Sequence, residues 1–311
     1  MKIIVTGGAG FIGSHVCELV LSEGHELVVI DDLSSGSIDN LKLIIDQILL
    51  IKKSVEDVDF SLLGDCDALI HLSAQVSVPL SISDFYRSSK KNLLSSIKII
   101  DFCSKSQIPL VYASSAAVYG GLEFADDQSN TVKLLSPYAA DKYAMELYAE
   151  VASVNHSLSS VGLRFFNVYG PRQSPTNPYS GVISKFLADI FSGNDLTIFG
   201  GKQTRDFVYV ADVAKVIFSA VQHCISEVSC DKINVLTGTS ISINELSDVI
   251  INITKSQVGK RFSPMSVGDP LMSIGSTDKF QRIFGKQFRE MTVLEDGLLP
   301  TIEFVRMTMA K

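Results

Sequence analysis

The chain has 311 residues, 46% of them hydrophobic and 20% charged, with a net charge of -7. This is a globular composition, long enough for one large domain or two moderate ones, and its acidic balance excludes a nucleic-acid backbone as partner, which needs a basic face. Mean hydropathy is +0.26, yet no uncharged apolar run reaches the roughly 20 residues that span a bilayer.

The opening residues, MKIIVTGG, already read as strand and turn, which leaves no room for a signal peptide. A strand over KIIVT runs into glycines and a helical pattern, FIGSHVCELVLSEG. ELVVID is the next strand. The most apolar stretch after it, LKLIIDQILLIKK, is broken by Asp46 and ends in lysines. ALIHLSA, PLVYASS and VGLRFFN are further strands, with helical segments such as NLLSSIKIIDFCSKS between them. Strands that read as continuous apolar runs and alternate with helices predict an α/β fold: a Rossmann-type, doubly wound parallel sheet covered on both faces. After Asn167 the rhythm breaks at VYGPRQSPTNPYSG, which holds three prolines and two glycines. The expected organisation is a first domain over residues 1–167, rejoined near 205–237 by RDFVYVADVAKVIFSAV, and a smaller α/β substrate-binding lobe over 168–311.

The five cysteines are odd in number and show no C-x-x-C spacing, which argues against a disulfide framework or a thiolate metal site and for reduced thiols in the cytoplasm. The five histidines are scattered, so no metal is expected.

Gly7, Gly10 and Gly13 lie between a strand and a helix, where glycines allow a tight turn and close approach of a pyrophosphate to the helix N-terminus. Packing of helix on sheet alone is the other reading of these glycines. Asp31, at the end of the second strand, suits both ribose hydroxyls of an adenosine, or else a plain turn. Asp32 adds a second negative charge, and no Arg or Lys follows until Lys42, so NAD is favoured over NADP. In SPYAADKY, Ser136 is a good N-cap and Pro137 a good first helical residue, which puts Tyr138 and Lys142 on one helix face a turn apart. A phenol with an ordinary pKa of about 10 is a poor base at neutral pH. The Lys142 ammonium, an oxidised nicotinamide and the helix N-terminus would each lower it. A surface Tyr and Lys on an amphipathic helix is the bland alternative.

TGGAGFIGS, VIDDLSSG, HLSAQVSV, YASSAAVYG, SPYAADKYAMELY and LRFFNVYGPRQ, taken in order, resemble the extended short-chain dehydrogenase/reductase family, and within it the nucleotide-sugar 4-epimerases. The likeness is strong to about Ala214 and weaker beyond. It implies bound NAD, a UDP-sugar substrate and a homodimer built on two long helices. Carried over by position, it makes Tyr138 the base, Lys142 its partner and Ser115 the hydroxyl that bonds or relays from the reacting alcohol, with Ser114 beside it. Ser115 could instead cap its own backbone. The implied cofactor shell is Gly7, Gly10, Phe11, Ile12, Asp31, Asp32, Leu72, Ala74, Asn92, Ala113 and Phe165 with Tyr138 and Lys142. The implied substrate contacts are Asn167, Val182, Thr197, Phe199, Arg205 and Asp269, together with Ser115 and Tyr138. Arg205 would grip the diphosphate, or pair with Asp206 or Asp212; Phe199 could belong to the core.

Some positions depart from the family pattern. Dehydratases in it carry an Asp-Glu pair after the catalytic hydroxyl; here stand Ala116 and Ala117, which transfer no proton. Ser54 stands where an adenine-contacting Asp is usual, and Ser266 where an arginine grips phosphate, with Arg261 as a stand-in. Ser273, four residues after Asp269, stands where the family can carry a tyrosine that restricts the pocket to plain hexoses, so an N-acetylhexosamine is expected to fit, with plain hexoses also possible; a plain loop serine is the other reading. Rival readings are a uronate epimerase or decarboxylase, a keto-sugar reductase, and a non-catalytic dinucleotide sensor.

Overall fold

The computed structural model describes residues 1–175, 180–265, 270–285, 288 and 290–310. In chain order its first elements are β1 (Lys2–Thr6), α1 (Phe11–Ser22), β2 (Glu26–Ile30), β3 (Leu49–Ile51), β4 (Ala68–His71), α2 (Val78–Ser83), α3 (Phe85–Ser89), a π-helical turn (Lys90–Leu94), α4 (Ser95–Ser106), β5 (Leu110–Ser115), α5 (Pro137–His156) and β6 (Ser160–Phe165). There follow β7 (Asn167–Tyr169), α6 (Val182–Phe191), β8 (Leu196–Phe199), β9 (Thr204–Tyr209), α7 (Val210–Ser226), β10 (Cys230–Val235), β11 (Ser240–Ser242), α8 (Ile243–Thr254), β12 (Lys260–Ser263), α9 (Asp278–Phe284) and α10 (Leu294–Met309).

The chain divides into two compact units. The first comprises Met1–Val118, Leu134–Phe165 and Val213–Ile233; the second comprises Tyr119–Lys133, Phe166–Asp212 and Asn234–Lys311. The first unit is built on a seven-stranded sheet in the order β10-β6-β5-β4-β1-β2-β3, parallel throughout from β3 to β6. β1, β2 and β4 are almost wholly buried runs of β-branched and other apolar residues, as strands covered on both faces must be. The chain winds from β1 outward to β3, then returns to start again at β4 on the other side. That reversal opens a crevice at the carboxyl ends of β1 and β4. Ile4, Ile30, Leu69, Ile99, Leu110, Tyr112 and Met145 sit in the core beneath it, each such buried side chain contributing about 2 kcal/mol relative to exposure.

The stretch LKLIIDQILLIKK folds into short 3-10 turns and β3, whose Leu49 is exposed at the sheet edge. The α5 helix starts as its sequence demands: the Ser136 Oγ accepts from the Ala139 N–H at 3.1 Å, and Pro137 follows it. It stops at Ser157, which takes the left-handed conformation at φ 53°.

The second unit holds a three-stranded sheet, β11-β9-β7, and a two-stranded one, β12-β8. Its core joins Tyr169 and Leu187 to Ile198, Ile250, Leu298 and Ile302. Among the described residues no helix is long and apolar enough to cross a membrane, and no cluster of His, Cys, Asp and Glu could hold a metal. All five cysteines are thiols.

Candidate active site

The sheet order does most of the assembly. Read along its carboxyl edge, β6, β5, β4, β1 and β2 end next to Phe165, Ser115, Leu72, Gly7 and Asp31 in turn. Residues far apart in sequence thus meet along one crevice of the first unit.

The β1–α1 loop is closed tightly. Gly7 has φ +73°, and a Cβ there would lie 2.7 Å from the Ser73 nitrogen; a Cβ on Gly13 would lie 2.1 Å from the Gly7 carbonyl oxygen. Gly13 is therefore a packing glycine, while Gly7 brings the loop against the backbone after β4. Gly10 is the N-cap of α1, with no side-chain cap and no acid in the first turn, Phe11 and Ile12 included. The unanswered N–H groups and positive dipole end suit a pyrophosphate. Asp31 is buried, accepting from the Ala9 N–H at 2.9 Å on one oxygen and the Leu33 N–H at 2.8 Å on the other. Burial pushes its carboxyl above the ordinary range, against those two bonds. Each oxygen keeps a lone pair for a ribose hydroxyl. The donor set fits a dinucleotide.

Asp32 accepts from the Ser34 N–H and hydroxyl, and Lys91 Nζ stands 3.6 Å from its other oxygen. Sequence reading missed this cation, since only the fold brings the π-helical turn to the end of β2. Asn92 clamps the loop that carries Leu72 and Ala74: its Oδ1 accepts from the Gln75 N–H at 2.7 Å, and its Nδ2 donates to the Gln75 carbonyl at 3.0 Å. Behind that loop, buried His71 bonds the Thr6 hydroxyl at 2.7 Å and the Ser96 hydroxyl at 3.1 Å. Burial, with the Lys142 charge adding to it, holds its imidazole down to about 3, so it is neutral. The Ser54 hydroxyl donates to Asp57 Oδ2 at 2.8 Å.

Tyr138, Lys142 and Ser115 come together at the end of β5. Lys142 Nζ donates to the Ala113 carbonyl at 2.7 Å and stands 5.8 Å from the centre of the Tyr138 ring. The Ser115 Oγ accepts from the Ala117 N–H at 3.1 Å, so the capping role is real, and its hydroxyl tends to lower the pKa of the Tyr138 phenol. The sequence weighed only charges around that phenol, and expected them to acidify it. Here burial outweighs the Ser115 hydroxyl and pushes Tyr138 above its ordinary value of 10. Burial also brings the Lys142 ammonium down to about 8, with Asp141 and Glu146 opposing it. Both shifts have one physical cause: a low-dielectric pocket disfavours either charge alone.

The second unit contains a cavity of about 390 Å³ whose lining includes Asn167, Val182, Thr197, Phe199 and Arg205. These five implied substrate contacts thus share one hollow; Arg261 and Ser273 are not among its lining residues, and Asp269 and Ser266 lie outside the described residues. Phe199 is 51% exposed, which rules out the core role considered for it. Arg205 is buried, its Nη1 donating to the Thr204 and Pro270 carbonyls at 2.7 and 2.9 Å. Asp206, one candidate partner for it, accepts from Thr237 and Gly238, and burial raises its carboxyl to about 6. The Asn167 Nδ2 donates to the Asp206 carbonyl at 3.0 Å. Lys185 and Asp189, unremarked in the sequence because they sit on an ordinary amphipathic helix, also face the hollow. Arg261 is a solvent-exposed partner of Asp195, at 3.0 Å. Ser273 is half-buried, in the strip whose Ile274 carbonyl accepts from the Ala125 N–H.

Sheet topology and the side chains gathered along its carboxyl edge define a Rossmann-type, dinucleotide-dependent enzyme. The chain belongs to the NAD dependent epimerase/dehydratase family, which matches residues 3–235, and NAD is that family's cofactor. It is 31% identical to the UDP-glucose 4-epimerase of Mycolicibacterium smegmatis, over 98% of this chain and 99% of that one. The UDP-N-acetylglucosamine 4-epimerase of Methanobrevibacter ruminantium, solved with UDP-N-acetylmuramic acid, has a similar structure: TM-score 0.92, 32% identity, 99% of this chain and 98% of that one covered. The UDP-glucuronic acid 4-epimerase of Bacillus cereus, solved with UDP-glucuronic acid and NAD, superposes with TM-score 0.91 at 27% identity, covering 99% of this chain and 100% of that one.

Proposed function

We propose that this chain is an NAD-dependent UDP-sugar 4-epimerase that accepts UDP-N-acetylhexosamines, with plain UDP-hexoses as further substrates. The observation that carries this reading is the convergence of Ser115, Tyr138 and Lys142 on the carboxyl edge of the sheet, beside the glycine loop and Asp31. When bound, NAD supplies an acceptor that takes a hydride from the sugar and returns it.

In this reading the backbone of Gly7, Gly10, Phe11 and Ile12 holds the pyrophosphate, and Asp31 and Asp32 the adenosine side. Leu72, Ala74, Ala113 and Phe165 line the crevice, with Asn92 fixing the loop. Tyr138 takes the proton of the sugar 4-hydroxyl, directly or through Ser115. Lys142, pinned by the Ala113 carbonyl, stabilises the phenolate. Arg205 answers the diphosphate, while Asn167, Val182, Thr197 and Phe199 hold the nucleoside, with Asp269 as a further contact. Ala116 and Ala117 occupy a 3-10 turn without an acid, so elimination of water has no proton donor there. A serine at 273, in place of the family's tyrosine, is the sequence feature behind the choice of a 2-acetamido sugar.

The deciding experiment incubates pure protein with UDP-N-acetylglucosamine and no added NAD, and follows UDP-N-acetylgalactosamine by NMR. Turnover that Tyr138→Phe abolishes in a folded protein supports the proposal. Absence of turnover with every UDP-hexose while NAD is bound rejects it. Conversion of UDP-glucuronic acid alone would move the chain to the uronate class, to which one structural neighbour belongs. Stoichiometric consumption of added NAD(P)H would make it a reductase.

We also infer a homodimer that works in the cytoplasm. Leu147, Val151 and Val154 form an exposed apolar stripe on α5, at the spacing of one helix face. Light scattering at twice the 33.8 kDa chain mass, reduced to one mass by Val151→Asp, is the expected result.

A further inference from the structure

Tyr138, Lys142 and Glu146 succeed one another at four-residue spacing along α5, on the face turned to β5. Glu146 and Arg164 are each 1% exposed. The Arg164 Nε donates to Glu146 Oε1 at 2.8 Å and its Nη2 to Oε2 at 2.6 Å, a two-point ion pair. The Ser114 hydroxyl donates to the same Oε1 at 2.5 Å. Ser114 and Arg164 are register partners on β5 and β6, so one carboxylate bridges two neighbouring strands to the helix. Ala113 and Ser114 are consecutive residues of β5; the first anchors Lys142 and the second anchors Glu146. Ser115 comes next.

We propose that Glu146 is a positioning residue: by bridging Ser114 and Arg164 it fixes the register of α5 on β5, and so the places of Lys142 and Ser115, while keeping a negative charge one turn below the Lys142 ammonium. The inference rests on the reading of Lys142 as partner of the base. A slip of α5 would move Tyr138 and Lys142 together away from Ser115, and misplacements of about 1 Å cost on the order of a hundredfold in rate. The charged and titratable groups facing Lys142 are Asp141 and Glu146 on α5, which favour its charge, His71 on β4, whose imidazole feels the Lys142 charge, and Tyr138; Arg164 stands behind Glu146. Among the described residues, Glu146 is therefore the one negative group near Lys142 that also touches the β5 strand.

The test titrates the Lys142 ε-carbon by NMR in lysine-labelled protein, with Lys142→Met identifying its signal. Glu146→Gln is expected to move that titration down by about one pH unit, and the alkaline limb of turnover with it. Where Glu146→Gln does not fold, Glu146→Leu combined with Arg164→Met removes both charges together and is expected to shift the titration in the same direction. Ser114→Ala keeps the charge and loses the bridge: Lys142 titrates as in the parent, while kcat falls about tenfold at unchanged KM. Lys142 titrating unchanged in the folded charge variant overturns the proposal, as does Ser114→Ala turning over like the parent. The titration needs no turnover, so a protein that epimerises nothing but shows the shift counts against the proposed function alone.

Discussion

Acid should unfold this protein through His71, and the size of the effect follows from its burial. The imidazole lies between Thr6 and Ser96 hydroxyls at 2.7 and 3.1 Å and is held down to about 3 from an ordinary 6.5. A base kept neutral in the folded state takes its proton only on unfolding. Its contribution is therefore fully present above pH 6.5 and is lost as pH falls from there towards 3. At pH 5 the unfolded chain is favoured by 1.5 pH units' worth of proton binding, about 2 kcal/mol. With a urea slope of about 3 kcal/mol/M, that is a midpoint shift of roughly 0.7 M. The comparison is the parent against His71→Gln, each unfolded in urea at pH 7.5 and at pH 5.0. Circular dichroism is the probe, because the chain has no tryptophan. The parent should lose about 2 kcal/mol more than the variant on acidification. Any cost of the substitution itself cancels in that difference, as do the carboxylates common to both proteins. Equal losses would show that His71 is not buried neutral, and that the Thr6–His71–Ser96 tie beneath the crevice is misread.

Gly13→Ala should lose NAD binding and melt earlier by several degrees in a thermal-shift assay, since its Cβ would meet the Gly7 oxygen at 2.1 Å and the Gly8 Cα at 2.8 Å, both backbone. Lys142→Met should be inactive yet lack a pH dependence that the parent has. The ammonium falls from 10.5 to about 8 on folding, so the unfolded chain holds that proton longer, and the parent gains about 3 kcal/mol between pH 8 and 10.5 in urea titrations that the variant does not. Phe199→Ala should weaken UDP binding about tenfold by calorimetry at an unchanged melting temperature, because a ring that is 51% exposed contributes to a ligand face more than to the core.

Much of the first unit was legible because its strands announce themselves. Runs such as KIIVT and ALIHLSA are apolar without alternation, which only a doubly covered sheet explains. The glycine loop, Asp31 and the Tyr138–Lys142 spacing are local patterns, and local geometry suffices to read them. What stayed hidden depends on strand pairing. Glu146 is visible as one more turn below Lys142, but Arg164 becomes its partner only through the pairing of β5 with β6. Lys91 reaches Asp32 only because β4 and β2 flank β1. β3 was missed for another reason: an edge strand of three residues with an exposed leucine lacks the buried run that marks the others. Phe199 shows the limit of residue type, since the alternation of β8 puts Thr197 and Phe199 outward and Leu196 and Ile198 inward, and the sequence does not say which face is covered.

The sign of the Tyr138 shift carries the deeper lesson about the site. A nearby ammonium was expected to acidify the phenol, whereas burial raises the phenol and lowers the ammonium together. The same dry surroundings that penalise each charge alone strengthen the attraction between the two once both exist. A phenolate beside a charged Lys142 is a neutral pair, and its stability depends on how closely the pair is held. Placement then matters more than the number of cations in the crevice. The Ala113 carbonyl fixes Lys142 Nζ at 2.7 Å, the Ser115 hydroxyl favours the phenolate, and the Glu146–Arg164 pair sets the helix that carries both groups. On the proposed reading, the buried Glu146–Arg164 pair acts on the chemistry through the placement of the helix that carries Tyr138 and Lys142.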